Sequence, residues 1–215
     1  MVVFDLELVK RFRKGQVSEI VEIGACKVDV DNKRIHSELQ LYISPRNGYI
    51  AKSTRQFINM TKEDMKKAVP FQEGIQLFKN WLGDDYFLCS WGKDDRLHLI
   101  NQCLRQRINL DWFKNYNDLQ QLIGKILQPQ VKQQLGLKTA LDLAGIEATG
   151  KAHRGIDDAI NTAKLYFQYM DQIKLCSNVL SQKELNQHKL RIKAARLQVK
   201  ENRRQQQGSD STETE

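Results

Sequence analysis

Two carboxylates, Asp5 and Glu7, interrupt the apolar run Met1-Val2-Val3-Phe4-Asp5-Leu6-Glu7-Leu8. Side chains alternate along a strand, so residues two apart project from the same face. Two like charges on one face of a buried strand repel each other and lose hydration, and a divalent cation is the usual compensation. Alone, the pair reads equally as a solvated strand edge. Two further groups stand downstream. Asp94 and Asp95, in Ser90-Trp91-Gly92-Lys93-Asp94-Asp95-Arg96, follow the apolar stretch Tyr86 to Cys89. In Gly150-Lys151-Ala152-His153-Arg154-Gly155-Ile156-Asp157-Asp158-Ala159, His153 stands five residues before Asp158. Each has a plain alternative: carboxylates complement a helix N-terminus, and a histidine before a helix is commonly solvated. As a set, the carboxylates could hold divalent ions and the imidazole could move a proton, which is the equipment phosphodiester cleavage needs.

Asp5, Glu7, Asp95, His153 and Asp158, taken together over roughly residues 1–175, resemble the DEDDh family of 3′-5′ exonucleases, and within it the KapD and histone-mRNA 3′ exonuclease-like branch. The HRxxDDA form of the last motif and the nearby Trp91 carry the narrower likeness, and Glu19 to Gly24, EIVEIG, fits the family's second strand. The family pattern W-G-x-x-D-R selects Asp95 over Asp94, and the spacing of five selects Asp158 over Asp157. Arg154 occupies the position that carries Tyr in the DEDDy subtype. The resemblance implies an RNase H-like fold and a cofactor of two divalent ions, Mg²⁺ or Mn²⁺, about 4 Å apart. It implies that Asp5 bridges them, that Glu7 and Asp158 complete the water-activating site, that Asp95 holds the second ion, and that His153 is the general base. Leu6 would approach the terminal base. Phe12, Arg13, Phe57, Met60, Trp91 and Arg154 are candidates for stacking or phosphate contact. The segment Val9 to Gln16, strongly basic, departs from the Thr-containing segment of the family.

The elements that must position these residues follow from periodicity. Val2–Leu6, Ile20–Val30 and Arg34–Ile43 read as three strands of a meander turned at Asp31-Asn32-Lys33. Thr61 with Asp64 forms a capping-box pattern for a short helix to Lys67. Phe71, Ile75, Phe78, Trp81 and Leu82 recur at helical spacing. Tyr86–Trp91 is a fourth strand, a helix runs from Asp94 to about Arg107, and Asn109–Phe113 is a fifth strand. Helices are expected over Asp118–Leu127 and Thr139–Leu143. Ile156, Ala159, Ile160, Ala163, Phe167 and Met170 form the stripe of a core-facing helix from Gly155 to about Ile173. The fold class is therefore α/β: a mixed five-stranded sheet flanked by helices, with a C-terminal basic helix.

The chain has 215 residues and a formal net charge of +8, enough for one domain and an appendage. The expected division is an exonuclease domain over 1–178, a basic helix over 179–206 and a disordered acidic tail over 207–215. The helix segment 181–206 holds eight basic and two acidic residues, and the tail holds three acidic ones. His36, His98 and His188 have no partner pattern and read as ordinary. The four cysteines, Cys26, Cys89, Cys103 and Cys176, form no CxxC pair, which points to free thiols in a reducing cytoplasm. No stretch approaches the ~20 apolar residues of a membrane helix. The expected partners are single-stranded RNA or DNA 3′ ends, with no membrane. The leading reading is a 3′-5′ exonuclease releasing nucleoside 5′-monophosphates, RNA favoured. A DNA exonuclease, a regulator on an exonuclease-like fold, and a binding protein using the basic helix are the alternatives.

Overall fold

The structure, a computed structural model, describes residues 1–9, 18–130 and 134–210, with side chains as far as Glu201. The basic segment after Val9, including Phe12 and Arg13, lies outside the described residues. Six strands, β1 (Val2–Val9), β2 (Glu19–Asp29), β3 (Arg34–Ser44), β4 (Val69–Pro70), β5 (Leu88–Ser90) and β6 (Tyr116–Asp118), form one sheet in the order β4-β3-β2-β1-β5-β6. β1, β2 and β3 pair antiparallel, and β5 runs parallel to β1. Eight α-helices accompany them among the described residues: α1 (Lys52–Phe57), α2 (Lys62–Lys66), α3 (Phe71–Leu82), α4 (Asp94–Arg105), α5 (Leu119–Leu127), α6 (Leu137–Ala144), α7 (Gly155–Tyr169) and α8 (Gln182–Asp210).

Strand alternation sorts the core into two layers. Phe4 and Leu6 of β1, with Ile23 and Ala25 of β2, pack against Phe71, Ile75 and Phe78 of α3 and Leu99, Ile100 and Cys103 of α4. Val3 of β1, with Cys26 and Val28 of β2, packs against Leu119, Ala140 and the α7 residues Ala159 and Ala163. Asp5 and Glu7 follow Val3 at intervals of two, so they share the α7 side. The pairing Asp5↔Gly24 and Glu7↔Glu22 is followed by a bulge, Leu8 pairing with Ile20. Bulges re-aim side chains next to functional sites; here Val9 and Val21 turn into a third cluster with Ile58 and Met60, beneath α1 and α2.

α7 reaches the sheet where side chains are missing. A Cβ on Gly24 would lie 2.0 Å from the Ile156 nitrogen and 2.1 Å from the Gly155 carbonyl carbon, and one on Gly155 would lie 3.2 Å from the Asp5 carbonyl oxygen. The first turn of α7 therefore rests backbone to backbone on β1 and β2.

Several elements depart from expectation. Asn109–Phe113 is a loop, and the outer strand is instead β6, Tyr116–Asp118. Asn109 accepts from the Asp111 backbone amide at 2.9 Å, and Phe113 donates to the Leu110 carbonyl at 2.8 Å. Such local bonding turns the chain away from a ladder. The sheet gains the two-residue β4, and α1 is a further helix without a side-chain cap. Thr61 and Asp64 do close a capping box on α2. α8, expected only as a basic appendage, is docked over its first turns: Leu185 packs on the core, Glu184 pairs with Arg96 at 2.6 Å, and His188, only 4% exposed, lies 2.9 Å from Asn101 Oδ1. It continues past Gln206 to Asp210, and residues 211–215 lie outside the described residues. Cys26, Cys89 and Cys103 are buried and free, and Cys176 is exposed and free. Among the described residues no helix is long and apolar enough to cross a membrane.

Gly24→Ala is expected to destabilise the protein by about 3 kcal/mol, at the upper end for overpacking, because backbone rather than a flexible side chain occupies the Cβ position. Denaturant titration of the variant should show the midpoint fall, whereas Gly124→Ala, where a Cβ meets open space, should not.

Candidate active site

β1 and β5 run side by side only at Val2↔Leu88 and Val3↔Cys89. β5 then ends at Ser90 while β1 continues to Val9, leaving a crevice at the carboxyl end of two parallel strands, where open α/β sheets bind ligands. Asp5 and Glu7 line it from β1. Asp95 enters from the first turn of α4, its carboxylate accepting from the Leu6 backbone amide. Asp158 enters from the first turn of α7, and His153 from the loop before it. Ligand atoms of Glu7, His153 and Asp158 lie within 4.8 Å of one another, Glu7 buried, Asp158 half-buried and His153 exposed. Asp5 lies within the same field, with Asp95, Asp158 and Glu7 all acting on it.

The two Asp pairs divide their labour. Asp94 is exposed while Asp95 is half-buried. The Asp157 carboxylate faces the loop, accepting from the Lys151 amide at 2.9 Å and pairing with Arg154 at 3.4 Å. Asp158 faces Glu7 and accepts from the His153 amide at 2.9 Å. The loop needs Gly150 at φ +74°, since a Cβ there would meet the Asp157 carboxylate at 2.2 Å. His153 itself sits in the left-handed region at φ 61°, a conformation enriched for histidine among non-glycine residues.

Burial and crowding leave these carboxyls reluctant to ionise. Burial first, then the charges of Asp95, Asp158, Glu7 and Glu22, hold the Asp5 carboxyl well above its ordinary range. Asp95 is pushed up to about 8 by burial and the neighbouring Asp94, and Asp158 to about 6 by burial, against the opposing pull of His153. Four carboxylates and an imidazole converging at that electrostatic cost fit divalent ions with oxygen ligands.

Three positioning groups flank these residues: Glu22 and Asn59, which the sequence did not single out, and Phe57, which it offered only as a stacking or phosphate-contact candidate. Glu22, fully buried on β2 opposite Glu7, accepts from the Ile156 amide at 3.3 Å and from Gln40 Nε2 at 2.9 Å, while its Oε2 has no hydrogen-bond partner among the described residues. It caps α7, whose own N-cap residue Arg154 makes no side-chain cap bond. Its signal was a Glu flanked on both sides by apolar residues within EIVEIG. Phe57, a stacking candidate from the sequence, stacks on the His153 ring with centroids 4.3 Å apart, and Asn59 donates to the Ala152 carbonyl at 3.0 Å; nothing in the local sequence marks Asn59. Leu6, expected to approach the terminal base, and Met60, a stacking candidate, are both core residues. Trp91 donates to the Leu135 carbonyl at 2.9 Å, and Arg154 is spent on Asp157 and Gln40.

The profile of the family described as Exonuclease matches residues 2–166. The chain is 25% identical over 177 residues to ERI1 exoribonuclease 2 of Xenopus laevis, an alignment covering 71% of this chain and 25% of that protein. It is 23% identical over 159 residues to the PolC-type DNA polymerase III of Thermotoga petrophila, covering 74% of this chain and 11% of the polymerase. The chain thus spans a quarter or less of the length of these two relatives. Among solved structures, the nuclease domain of 3'hExo, a DEDDh family member bound to rAMP, superposes with a TM-score of 0.74 at 20% identity, over 83% of this chain and 95% of that one.

The raised carboxyls set a pH dependence. Asp5, Asp95 and Asp158 all titrate higher folded than the roughly 3.9 of an unfolded Asp. The folded chain therefore binds more protons than the unfolded one, and the metal-free protein should lose stability as pH rises from about 4 to 8. Mg²⁺ or Mn²⁺ should raise the melting temperature more at pH 8 than at pH 5, and Asp5→Asn should raise it at pH 8 without metal while shrinking the metal-dependent gain. Thermal scans across pH with and without the cation check all three; a metal response independent of pH would refute the account.

Proposed function

The chain belongs to the exonuclease family, and from that membership we propose that it is a metal-dependent 3′-5′ exonuclease that hydrolyses single-stranded nucleic acid ends to nucleoside 5′-monophosphates, with RNA favoured. The observation that carries this reading is the convergence of Glu7, Asp158 and His153 beside Asp5 and Asp95 in one crevice. Asp5, Glu7, Asp95 and Asp158 would hold two divalent ions, Mg²⁺ or Mn²⁺. Such ions, when bound, supply charge neutralisation at the scissile phosphate and a more acidic water. The rest falls to the chain's own groups. His153, exposed at the rim and held by the Phe57 stack, takes the proton of the attacking water on a ring nitrogen. Its backbone amide orients the Asp158 carboxylate. Glu22 and the Gly24–Gly155 contact keep the first turn of α7 at the distance the crevice requires.

The preference for RNA rests on the frog relative, named an exoribonuclease, and on the structural neighbour bound to rAMP. DNA is the second reading, favoured by the polymerase relative. Matched 3′- and 5′-labelled RNA and DNA oligonucleotides, digested with Mg²⁺ or Mn²⁺, decide activity, polarity and sugar preference at once. Mononucleotide release confined to the 3′ end supports the proposal; intact strands in both metals would favour a regulatory or binding role.

Asp5→Ala and Asp158→Ala are expected to abolish hydrolysis in saturating metal while the protein remains folded. His153→Ala should lower the rate by about 10²–10⁴-fold, the range for losing a general base, and should flatten the acid limb of the pH–rate profile. Parent and variant profiles of identical shape would remove His153 from that role.

A further inference from the structure

The proposed reaction makes no use of α8. This helix is 29 residues long, about 43 Å at 1.5 Å per residue. It lies beside α4 and runs the same way: Glu184 meets Arg96, His188 meets Asn101, and Arg196 comes within electrostatic reach of Arg105. Glu184, Leu185, His188 and Ile192 form the sheltered face, at spacings of three and four. Lys189, Lys193, Arg196 and Lys200 recur at four, three and four residues, which places them on a second stripe, and all four are exposed.

That stripe leads to a particular place. Arg105, at the end of α4, donates to the Ser18 carbonyl, and the Arg46 amide donates to Glu19 Oε2 at 2.8 Å. Glu19 pairs with Val9, two residues beyond Glu7 on β1. Arg46, Arg105 and Arg196 thus gather where β1 leaves the crevice, with Glu19 beside them. Burial, and then the charges of Arg46 and Arg196, hold the Arg105 guanidinium down to about 10, against the opposing pull of Glu19. Three guanidinium groups beside a single carboxylate leave a net positive surface there, which suits a polyanion. A strand whose 3′ end sits among the carboxylates must carry its remaining phosphates out over the rim of the same crevice.

We propose that Lys189, Lys193, Arg196 and Lys200 of α8, joined by Arg105 and Arg46, are a phosphate track that holds the single strand behind its 3′ end. The proposal rests on the exonuclease reading above. The track starts beside the middle of α4, passes its end and continues along α8 beyond it, so it serves strands that extend past the crevice. Each phosphate neutralised on a single strand contributes about −0.7 to the slope of log affinity against log salt.

Deleting everything after Asn178 is a poor test, because Leu180 and Leu185 pack against the core and Glu184 holds Arg96. Substitution in the full chain avoids this. Glutamine matches lysine and arginine in helix propensity, so Lys189→Gln, Lys193→Gln, Arg196→Gln and Lys200→Gln combined should leave α8 folded, as circular dichroism would check. Affinity for a labelled RNA of about 20 nucleotides is measured in chelator over a salt series. The combined variant is expected to bind at least about tenfold more weakly at low salt, with a slope flatter by up to about 3. Its turnover on a saturating trinucleotide in Mg²⁺ should match the parent. Lys183→Gln with Arg191→Gln, off the stripe, should change the slope little. Equal slopes for parent and combined variant overturn the track and leave α8 to an acidic protein partner. Equal flattening by the off-stripe variant also overturns it, by reducing the effect to bulk charge. A parent that binds with a steep slope yet leaves every labelled strand intact defeats the exonuclease reading instead.

Discussion

The contact of two glycines governs the molecule. Gly24 on β2 and Gly155 at the head of α7 let a helix and a sheet meet without side chains between them. Ordinary helix–sheet packing is spaced by side chains, and at that spacing the first turn of α7 would stand off from β1. Asp158 would then not share a space with Glu7. Hydrogen bonding reinforces the approach, since Glu22 receives the Ile156 amide of the incoming helix. A carboxylate at a helix N-terminus also gains from the macrodipole, which helps a fully buried Glu remain tolerable with one oxygen unpaired.

The same closeness creates a liability. Carboxyls brought together in a sheltered crevice repel each other and resist ionising, so the site subtracts from stability unless positive charge neutralises it. The fold absorbs this with apolar packing on both sheet faces, where Phe4, Ile23 and Phe78 on one side and Val3, Leu119 and Ala163 on the other are fully buried. Strand alternation makes the division possible: β1 gives the even positions 4 and 6 to one core and turns 5 and 7 toward the crevice.

Much of this was legible in the chain. The i, i+2 spacing of Asp5 and Glu7 foretold a shared face; helical periodicity located α3 and α7, and the acidic pair Asp94-Asp95 located α4, to within a few residues. The capping box of Thr61 and Asp64 is present as its spacing implied. What stayed hidden depends on distant partners. Asn109–Phe113 has strand composition, yet Asn109 captures nearby backbone groups and the ladder forms at Tyr116–Asp118. Phe57 acquires its place by stacking on a histidine 96 positions away. His188, unremarkable among charged neighbours, is buried because Leu185 beside it finds the core. Local pattern encodes which face a residue takes, whereas the identity of its partner depends on the tertiary fold.

The edges of the sheet carry a further consequence. β6 is overlaid by the segment around Asn178, whose side chain bonds the Tyr116 amide and carbonyl while Asn117 binds the Cys176 backbone amide and carbonyl. At the opposite edge β4 is two residues long and ends in Pro70, which has no amide to donate. Exposed ladder edges are templates for intermolecular strand addition. Here one margin is stitched shut by asparagine amides and the other is cut short by a proline. Neighbouring copies find little to extend, so crowding of this chain should favour contacts between helices over growth of a shared sheet.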